Sequence, residues 1–495
     1  MLLSNILQNV QARHQLDLKK FNPLIKGISF NSKIVKKNFI FVAIKGDKFD
    51  GHQFINEAIN KGAIFIIVEN KKSITQLIEK KINFIITKNT RNLLSKISSN
   101  FFQNQPKFLS AVTGTNGKTS VCHITKEIWD LCNIKSASIG TIGLIIKQYR
   151  KSLSLTTLDS IQLHKILDNL YKKEIQKVCM EASSHGLEQS RINNVRINTA
   201  GFTNISHDHL DYHKNFNLYF QSKMKLIKNI LNENGTAVIN ADIPESKKIQ
   251  KLCKKLKKNI ITYGFKSKDL RLLNHQSTNE YQEVSIKYKN KNFIFKLPLL
   301  GEFQVYNALC SIGIILSSGI SIKKCLKNIE KIKQIPGRLE MINLPKKLKN
   351  NKISIFVDYA HTPDALDKAL KALKNISFNK VSVLFGCGGN RDSKKRPLMG
   401  KIANRFADKI YITDDNPRNE SPKKIRKEIL SECPNAYEIS DRYQAIKLSI
   451  QKCEHGEMLL IAGKGHENFQ ILNENFIKFN DKEVILKILK NKLFH

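Results

Sequence analysis

Gly114-Thr115-Asn116-Gly117-Lys118-Thr119-Ser120 places two glycines, an amine and three hydroxyls in seven consecutive residues. The apolar run Phe108-Leu109-Ser110-Ala111-Val112 precedes it and reads as a buried strand, and His123 to Leu131 reads as a helix. Strand, glycine-rich turn and helix start form a phosphate cradle, in which backbone N–H groups and the helix dipole face the anion. Lys118 can neutralise terminal phosphates, and the Thr119 hydroxyl can ligate magnesium. Val112 stands where the common phosphate-loop pattern has a glycine. A polar β-turn is the alternative for so short a motif.

Two further groups carry chemistry. Gln176 to Glu181 reads as a strand ending in a carboxylate, a place where nucleotide-binding sheets hold magnesium or where a strand end is simply solvated. Asn204 to His213 is the densest polar cluster. His207, His209 and Asp211 begin like a zinc-hydrolase signature, but Tyr212 occupies the position of its last histidine. Zinc hydrolysis and a hydrogen-bonding polar loop both remain readings of this segment. Ser183 and His185 are close in sequence, yet no G-x-S-x-G elbow surrounds them, which argues against a serine nucleophile.

The elements that must position these residues alternate strand and helix. Asn38–Ile44, Ala63–Val68 and Asn83–Thr87 are predicted strands, with helices at Gln53–Lys61 and Asn92–Asn104. Gln162–Lys173 and Tyr219–Lys228 are predicted helices, Thr236–Asn240 a strand and Ala308–Ser318 a helix of small residues. Pro336 to Glu340 reads as a linker. Beyond it, strands at Ile353–Val357, Val381–Phe385, Lys409–Thr413 and Met458–Ala462 each empty into a Gly- or Asp-rich loop. In a parallel sheet those four loops line one edge, where ligands bind.

A chain of 495 residues with 41% apolar content suits several globular domains. The formal charge of +41 suits nucleic acid or a phosphorylated substrate, but the lysines are spread over the whole length without a basic arm. The charge therefore reads first as lysine covering a surface, and a nucleic-acid-binding NTPase stays as an alternative. Nine scattered cysteines without a C-x-x-C pair suit reduced thiols in the cytoplasm. No signal-peptide pattern opens the chain and no apolar run has the ~18 residues of a membrane span.

Five motifs occur in order: Gly114 to Thr119, Glu181-Ala182-Ser183-Ser184-His185-Gly186-Leu187, Asp208-His209-Leu210-Asp211-Tyr212-His213, Asp358-Tyr359-Ala360-His361-Thr362-Pro363-Asp364 and Asp415-Asn416-Pro417-Arg418. The set closely resembles the Mur ligases of bacterial cell-wall synthesis, over nearly the full length. The resemblance implies an α/β chain of three domains. These are a small N-terminal UDP-substrate domain (1–90), a central P-loop-type ATPase domain (91–336) and a C-terminal Rossmann-like domain bringing the amino acid (337–495). It also explains Val112, since this family's loop lacks the first glycine.

The implied reaction is amide formation. ATP phosphorylates the D-glutamate γ-carboxylate of UDP-N-acetylmuramoyl-L-alanyl-D-glutamate, and the amine of meso-diaminopimelate displaces phosphate. Lys118, Lys223 and His209 match catalytic positions of the family. Gly114 to Ser120, Asn307, Arg338 and Asp358 match its ATP contacts. Phe30, Ser32, Thr156, Thr157, Ser183, Gln189 and Arg191 match contacts to the UDP substrate. Thr119, Glu181, His209 and Lys223 match magnesium positions, with Lys223 carried as a CO₂-derived carbamate (N6-carboxylysine). Arg391, Asp415, Asn416, Pro417, Arg418, Gly463 and Glu467 match the diaminopimelate pocket. There the Arg418 fork would grip the carboxylate that lysine lacks. Three departures stand out: Asn31-Ser32-Lys33 for the family's Asp-Ser-Arg, Phe303-Gln304 for Phe-Asn, and Leu155 for a polar residue. The expected protein is a cytoplasmic monomer that binds no nucleic acid and inserts in no membrane.

Overall fold

The computed structural model describes residues 1–10, 18, 20–46, 49–69, 77–78, 81–147, 149–206, 208–344, 352–473 and 475–491. His207 and the side chain of Asp211, both part of the zinc reading, lie outside the described residues.

Three α/β units follow one another. The first has strands β1 (Gly27–Ser29), β2 (Phe39–Val42), β3 (Ala63–Val68) and β4 (Asn83–Ile86), all parallel in that order. The helix Thr90–Phe101 lays Leu93, Leu94 and Ile97 into the core shared with Ile40, Val42, Phe65 and Ile67.

The second unit is built on eleven strands: β5 (Phe108–Thr113), β6 (Ser136–Gly140), β7 (Gly143–Ile146), β8 (Tyr149–Lys151), β9 (Lys177–Glu181), β10 (Ile197–Phe202), β11 (Leu231–Asn240), β12 (Asn259–Gly264), β13 (Leu270–Ser277), β14 (Gln282–Tyr288) and β15 (Lys291–Leu297). Their order is β15-β14-β13-β12-β11-β10-β5-β9-β6-β7-β8. The stretch from β13 to β6 is parallel, and antiparallel strands extend it at both ends. Parallel strands need cover on both faces. Leu109, Ala111, Val178 and Met180 point into one core, while Val112 and Cys179 point into the other.

The third sheet adds β16 (Glu340–Met341), β17 (Ser354–Asp358), β18 (Val381–Phe385), β19 (Lys409–Ile412), β20 (Tyr437–Glu438) and β21 (Met458–Ala462), in the order β16-β17-β21-β18-β19-β20. Only β16 runs antiparallel. Phe356, Val383, Phe385 and Leu460 fill one core, and Ile355, Leu384, Leu459 and Ile461 the opposite one. A hairpin of β22 (Phe469–Leu472) and β23 (Asn475–Lys478) stands beside this sheet.

Sequence and structure differ at element ends. The helix after β5 starts at Lys118, five residues before the apolar pattern begins, because Gly117 at φ 88° turns the chain directly into it. The helix Glu302–Ser317 likewise begins six residues ahead of its run of small residues, after Gly301 at φ 91°. The helix Phe216–Lys225 passes into a π-helical turn at Leu226–Ile230. No helix among the described residues is long and apolar enough to cross a membrane. None of the nine cysteines forms a disulfide among the described residues, and eight of them are buried.

Candidate active site

The parallel strands β9, β5 and β10 are neighbours and end at one edge, so the loops after Glu181, Thr113 and Phe202 meet there. The loop after β5 needs both glycines. A Cβ at Gly114 (φ 155°) would lie 1.9 Å from Thr203 Oγ1, and one at Gly117 would lie 2.3 Å from Asn307 Oδ1. The loop after β10 holds the cradle open. Asn204 accepts from the backbone N–H of Thr115 (2.8 Å) and, through Oδ1, from that of Asn116 (2.9 Å). Thr203 Oγ1 donates to the Asn116 carbonyl at 2.6 Å, and the Thr115 hydroxyl meets Tyr219 Oη at 2.9 Å.

Two lysines converge on this loop. Lys118 Nζ donates to the carbonyls of Gly114 and Thr115, both at 2.8 Å. Lys223, 1% exposed, reaches the same Gly114 carbonyl at 2.9 Å and sits 4.4 Å from the centre of the Tyr219 ring. Burial pushes the Lys223 amine well below the ordinary lysine range, and the charge of Lys118 pushes it further down. Desolvation also lowers Lys118, opposed by the nearby carboxylates of Glu181 and Asp208.

Glu181 is buried at the end of β9, where its carboxylate accepts from the Thr141 N–H at 2.7 Å and the Thr141 hydroxyl at 3.2 Å. Thr141 in turn meets Thr156 Oγ1 at 3.1 Å. Gly140 is required here, because a Cβ would come 2.2 Å from Glu181 Oε1. His209 has a left-handed backbone (φ 53°), a half-exposed ring and an edge-to-face contact with His185 at 4.9 Å.

The segment read as a linker brings the third unit onto the phosphate loop. Arg338 donates to Thr119 Oγ1 at 3.0 Å and lies 4.5 Å over the Tyr359 ring. Asn116 donates to Asp364 at 2.8 Å, and His466 approaches the Thr141 carbonyl at 3.3 Å. Asp358 accepts from the Leu339 N–H at 2.5 Å, and burial raises its carboxyl to about 6. Gln304, one of the departures from the pattern the resemblance implies, is buried here: its oxygen accepts from Asn307 at 2.9 Å and its amide reaches the Arg338 carbonyl at 3.4 Å.

Between the first two units, Gln189 Oε1 accepts from Arg191 Nε (3.1 Å) and NH2 (2.7 Å) and from Arg91 NH1 (3.4 Å). Arg191 also donates to the Thr157 carbonyl at 2.8 Å, and Ser183 caps the helix Ser184–Glu188. Ser32 gives its hydroxyl to Glu57 at 2.7 Å, while Phe30 is exposed. Asn31 still caps the turn Ser32–Ile34 through Lys33 N, so asparagine does the local work that aspartate would do there.

At the mouth of the third sheet, Arg418 adopts φ 53° and its NH1 donates to the Gly389 (3.0 Å) and Asn416 (3.3 Å) carbonyls. Burial and the neighbouring Arg391 lower its pKa. Asn416 donates to Glu467 Oε2 at 2.9 Å, and a Cβ on Gly463 would meet Asp415 Oδ2 at 2.6 Å. Pro417 is buried behind this turn, its carbonyl 1.9 Å from where a Gly389 Cβ would lie.

The structure thus gathers the loop, Glu181, Lys223, Asn307, Arg338 and Asp358 around one edge. The residues from Arg391 to Glu467 form a neighbouring cluster, and Phe30 with Ser32 lies apart on the first unit. Sequence reading gave no role to Arg91, Thr141, Asn204 or Lys464. The partners of Arg91, Thr141 and Asn204 are distant in the chain, while Lys464 joins the nearby Glu467 and Phe469 to the distant Asn416. Asn204, two residues past the strand beside β5, carried a readable signal.

Residues 24–102, 112–315 and 337–465 match family models described respectively as Mur ligase family, catalytic domain; Mur ligase middle domain; and Mur ligase, glutamate ligase domain. A UDP-N-acetylmuramoyl-L-alanyl-D-glutamate–2,6-diaminopimelate ligase of Rickettsia conorii is 42% identical over 474 residues, 94% of this chain and 96% of its own. One of the same name from Bradyrhizobium diazoefficiens is 39% identical over 473 residues, covering 95% and 96%. A solved structure of a ligase of that name superposes with TM-score 0.71 at 29% identity, covering 100% of this chain and 99% of that one. A MurF ligase from Thermotoga maritima in complex with ADP shares the fold at TM-score 0.63 and 19% identity, over 94% of this chain and 97% of that one. With relatives this similar matched along nearly its whole length, the chain belongs to the Mur ligase family.

Proposed function

We propose that this chain is an ATP-dependent, ADP-forming ligase of peptidoglycan precursor synthesis. It joins meso-diaminopimelate to the D-glutamate γ-carboxylate of UDP-N-acetylmuramoyl-L-alanyl-D-glutamate. The observation that carries the amino-acid choice is Arg418. Its NH1 is pinned by two carbonyls, and Nε and NH2 have no protein partner among the described residues. Those donors suit a carboxylate that lysine lacks, and Glu467 faces the ammonium end.

Residues 114–120, Asn307, Arg338 and Asp358 bind ATP. Phe30, Ser32, Thr156, Thr157, Ser183, Gln189 and Arg191 bind the UDP substrate. The γ-carboxylate attacks the γ-phosphorus and ADP leaves. The diaminopimelate amine then attacks the acyl carbon, phosphate departs with the C–O electron pair, and the amine loses its proton. The first step brings two anions together and the second expels one, so the chain must supply positive charge where negative charge builds. Lys118 and Arg338 are placed to do so.

The residues present fit magnesium. Thr119 and Glu181 offer oxygens, and the desolvated Lys223 amine suits carbamylation. Only a neutral amine adds CO₂, forming an N–C bond and releasing a proton to leave a carboxylate. His209 completes the proposed set. Magnesium, when bound, screens the repulsion between carboxylate and phosphate. The ligase reading displaces zinc hydrolysis at the histidine cluster. We place the enzyme in the cytoplasm as a monomer without nucleic-acid partner, with its domains divided near residues 90 and 336.

The test is phosphate release from ATP with Mg²⁺ and the UDP-muramoyl dipeptide, adding meso-diaminopimelate or L-lysine. Release confined to diaminopimelate, and loss of that selectivity in Arg418→Ala, is the expected result. Equal release with lysine would overturn the role of Arg418.

A further inference from the structure

Lys464 is a cation with 0% exposure in the loop after β21. A lysine head carries three donors and no acceptor, and here each donor has a partner. Nζ donates to Asn416 Oδ1 at 3.1 Å, to Glu467 Oε2 at 3.1 Å and to the Phe469 carbonyl at 2.6 Å. The first two partners also bond each other, Asn416 Nδ2 to Glu467 Oε2 at 2.9 Å. The third opens the hairpin β22–β23. That hairpin returns to the same turn: Ile471 N donates to Asn416 Oδ1 at 2.9 Å, and Arg418 N donates to the Ile471 carbonyl at 3.0 Å. Asn473 N then donates to the Arg418 carbonyl at 2.8 Å, so Arg418 pairs with the hairpin as an added strand residue.

From this network we infer that Lys464 is a positioning residue of the amino-acid pocket. It holds the carboxylate for the substrate ammonium and the arginine for its distal carboxylate at a fixed separation. It occupies only Oε2 of Glu467, which leaves Oε1 to face a ligand. It locks Asn416, and through Asn416 the hairpin that sets the left-handed backbone of Arg418. A zwitterion with two charged ends is read by that spacing, so loss of Lys464 loosens both ends together. The inference rests on the ligase reading above.

The experiment compares Lys464→Met, which keeps length without donors, and Lys464→Arg with the wild type. KM and kcat are measured for each substrate, the rate ratio of meso-diaminopimelate to L-lysine is recorded, and thermal stability and binding of a non-hydrolysable ATP analogue are followed alongside. Hydrogen bonds to charged groups of this kind set the expected scale. Lys464→Met should raise the KM for diaminopimelate about 10- to 100-fold and narrow the ratio over lysine. KM for ATP and the UDP substrate should hold, and Lys464→Arg should recover part of the loss. Unchanged diaminopimelate KM in Lys464→Met, or a parallel rise for all three substrates with loss of ATP-analogue binding, overturns the inference while an active wild type leaves the ligase reading intact. A wild type inactive with diaminopimelate removes the ligase reading and the inference with it.

Discussion

Two lysine amines on one carbonyl is an arrangement in which both cannot comfortably stay charged. Lys223 is the more buried, and it yields: desolvation and Lys118 together favour its neutral form. If CO₂ adds there, activity depends on bicarbonate and falls as the pH drops, because protonation removes the nucleophilic amine. Protein equilibrated with ¹³C-bicarbonate should show a carbamate carbon signal that Lys223→Ala lacks, and short carboxylic acids should restore part of that variant's activity. Asp358 has the opposite character. Burial raises its carboxyl to about 6, so in the proposed ATP site it would accept hydrogen bonds as an anion only above that pH. The KM for ATP should climb as the pH falls through about 6, and Asp358→Asn should flatten the profile. For stability the sign reverses: the folded pKa lies above the unfolded value of ~3.9, so the contribution of Asp358 is fully present below that value and is lost as the pH rises through about 6.

Among the elements, the loop after β5 is limited by space. Gly114→Ala would place a Cβ within 1.9 Å of Thr203 Oγ1 at a φ of 155°. Strain of about 1–3 kcal/mol should weaken nucleotide binding roughly 5- to 100-fold, measurable by titration calorimetry with an ATP analogue. In the third unit, Arg442 and Asp481 form a fully buried pair with bonds of 2.8 Å from Nε and NH2, and Arg442 also holds the Ala462 carbonyl at the end of β21. Arg442→Met strands a buried carboxylate and should cost about 3–5 kcal/mol. Thermal unfolding followed by circular dichroism checks this. Element positions were readable because buried parallel strands are short apolar runs closed by Gly or Asp, as Val381–Phe385 and Met458–Ala462 show. Helix starts were not, because Gly117 and Gly301 begin helices on polar residues before any apolar period is established.

Across the whole molecule, the third unit rests on the phosphate loop through Arg338 on Thr119 and Asp364 on Asn116, and on the turn after β6 through His466 on Thr141. Each bond of this kind contributes about 0.5–1.5 kcal/mol. Combining Arg338→Ala with Asp364→Ala should raise the radius of gyration measured by small-angle X-ray scattering. The same pair should raise the KM for ATP by about 10-fold or more, since the proposed nucleotide site draws on both units. Unchanged scattering with unchanged KM would place the hold between the units elsewhere.

The linear chain determined where its chemistry lies along the strands. Local runs of apolar residues make strands, and the residues just past their ends must be loops with polar or flexible backbone; Glu181, Asp358, Asp415 and the loop from Gly114 were visible on those grounds alone. Which of them act together was decided only in three dimensions. Strand order sets β9 and β10 on either side of β5, and the helix Phe216–Lys225 after β10 brings Lys223 to Gly114 across 109 residues. Contact with the third unit brings Arg338 to Thr119 across 219 and His466 to Thr141 across 325. No local periodicity encodes such pairs. They form because polar groups buried inside the second unit and where it meets the third must find partners there, and those partners stand wherever the sheets have carried them.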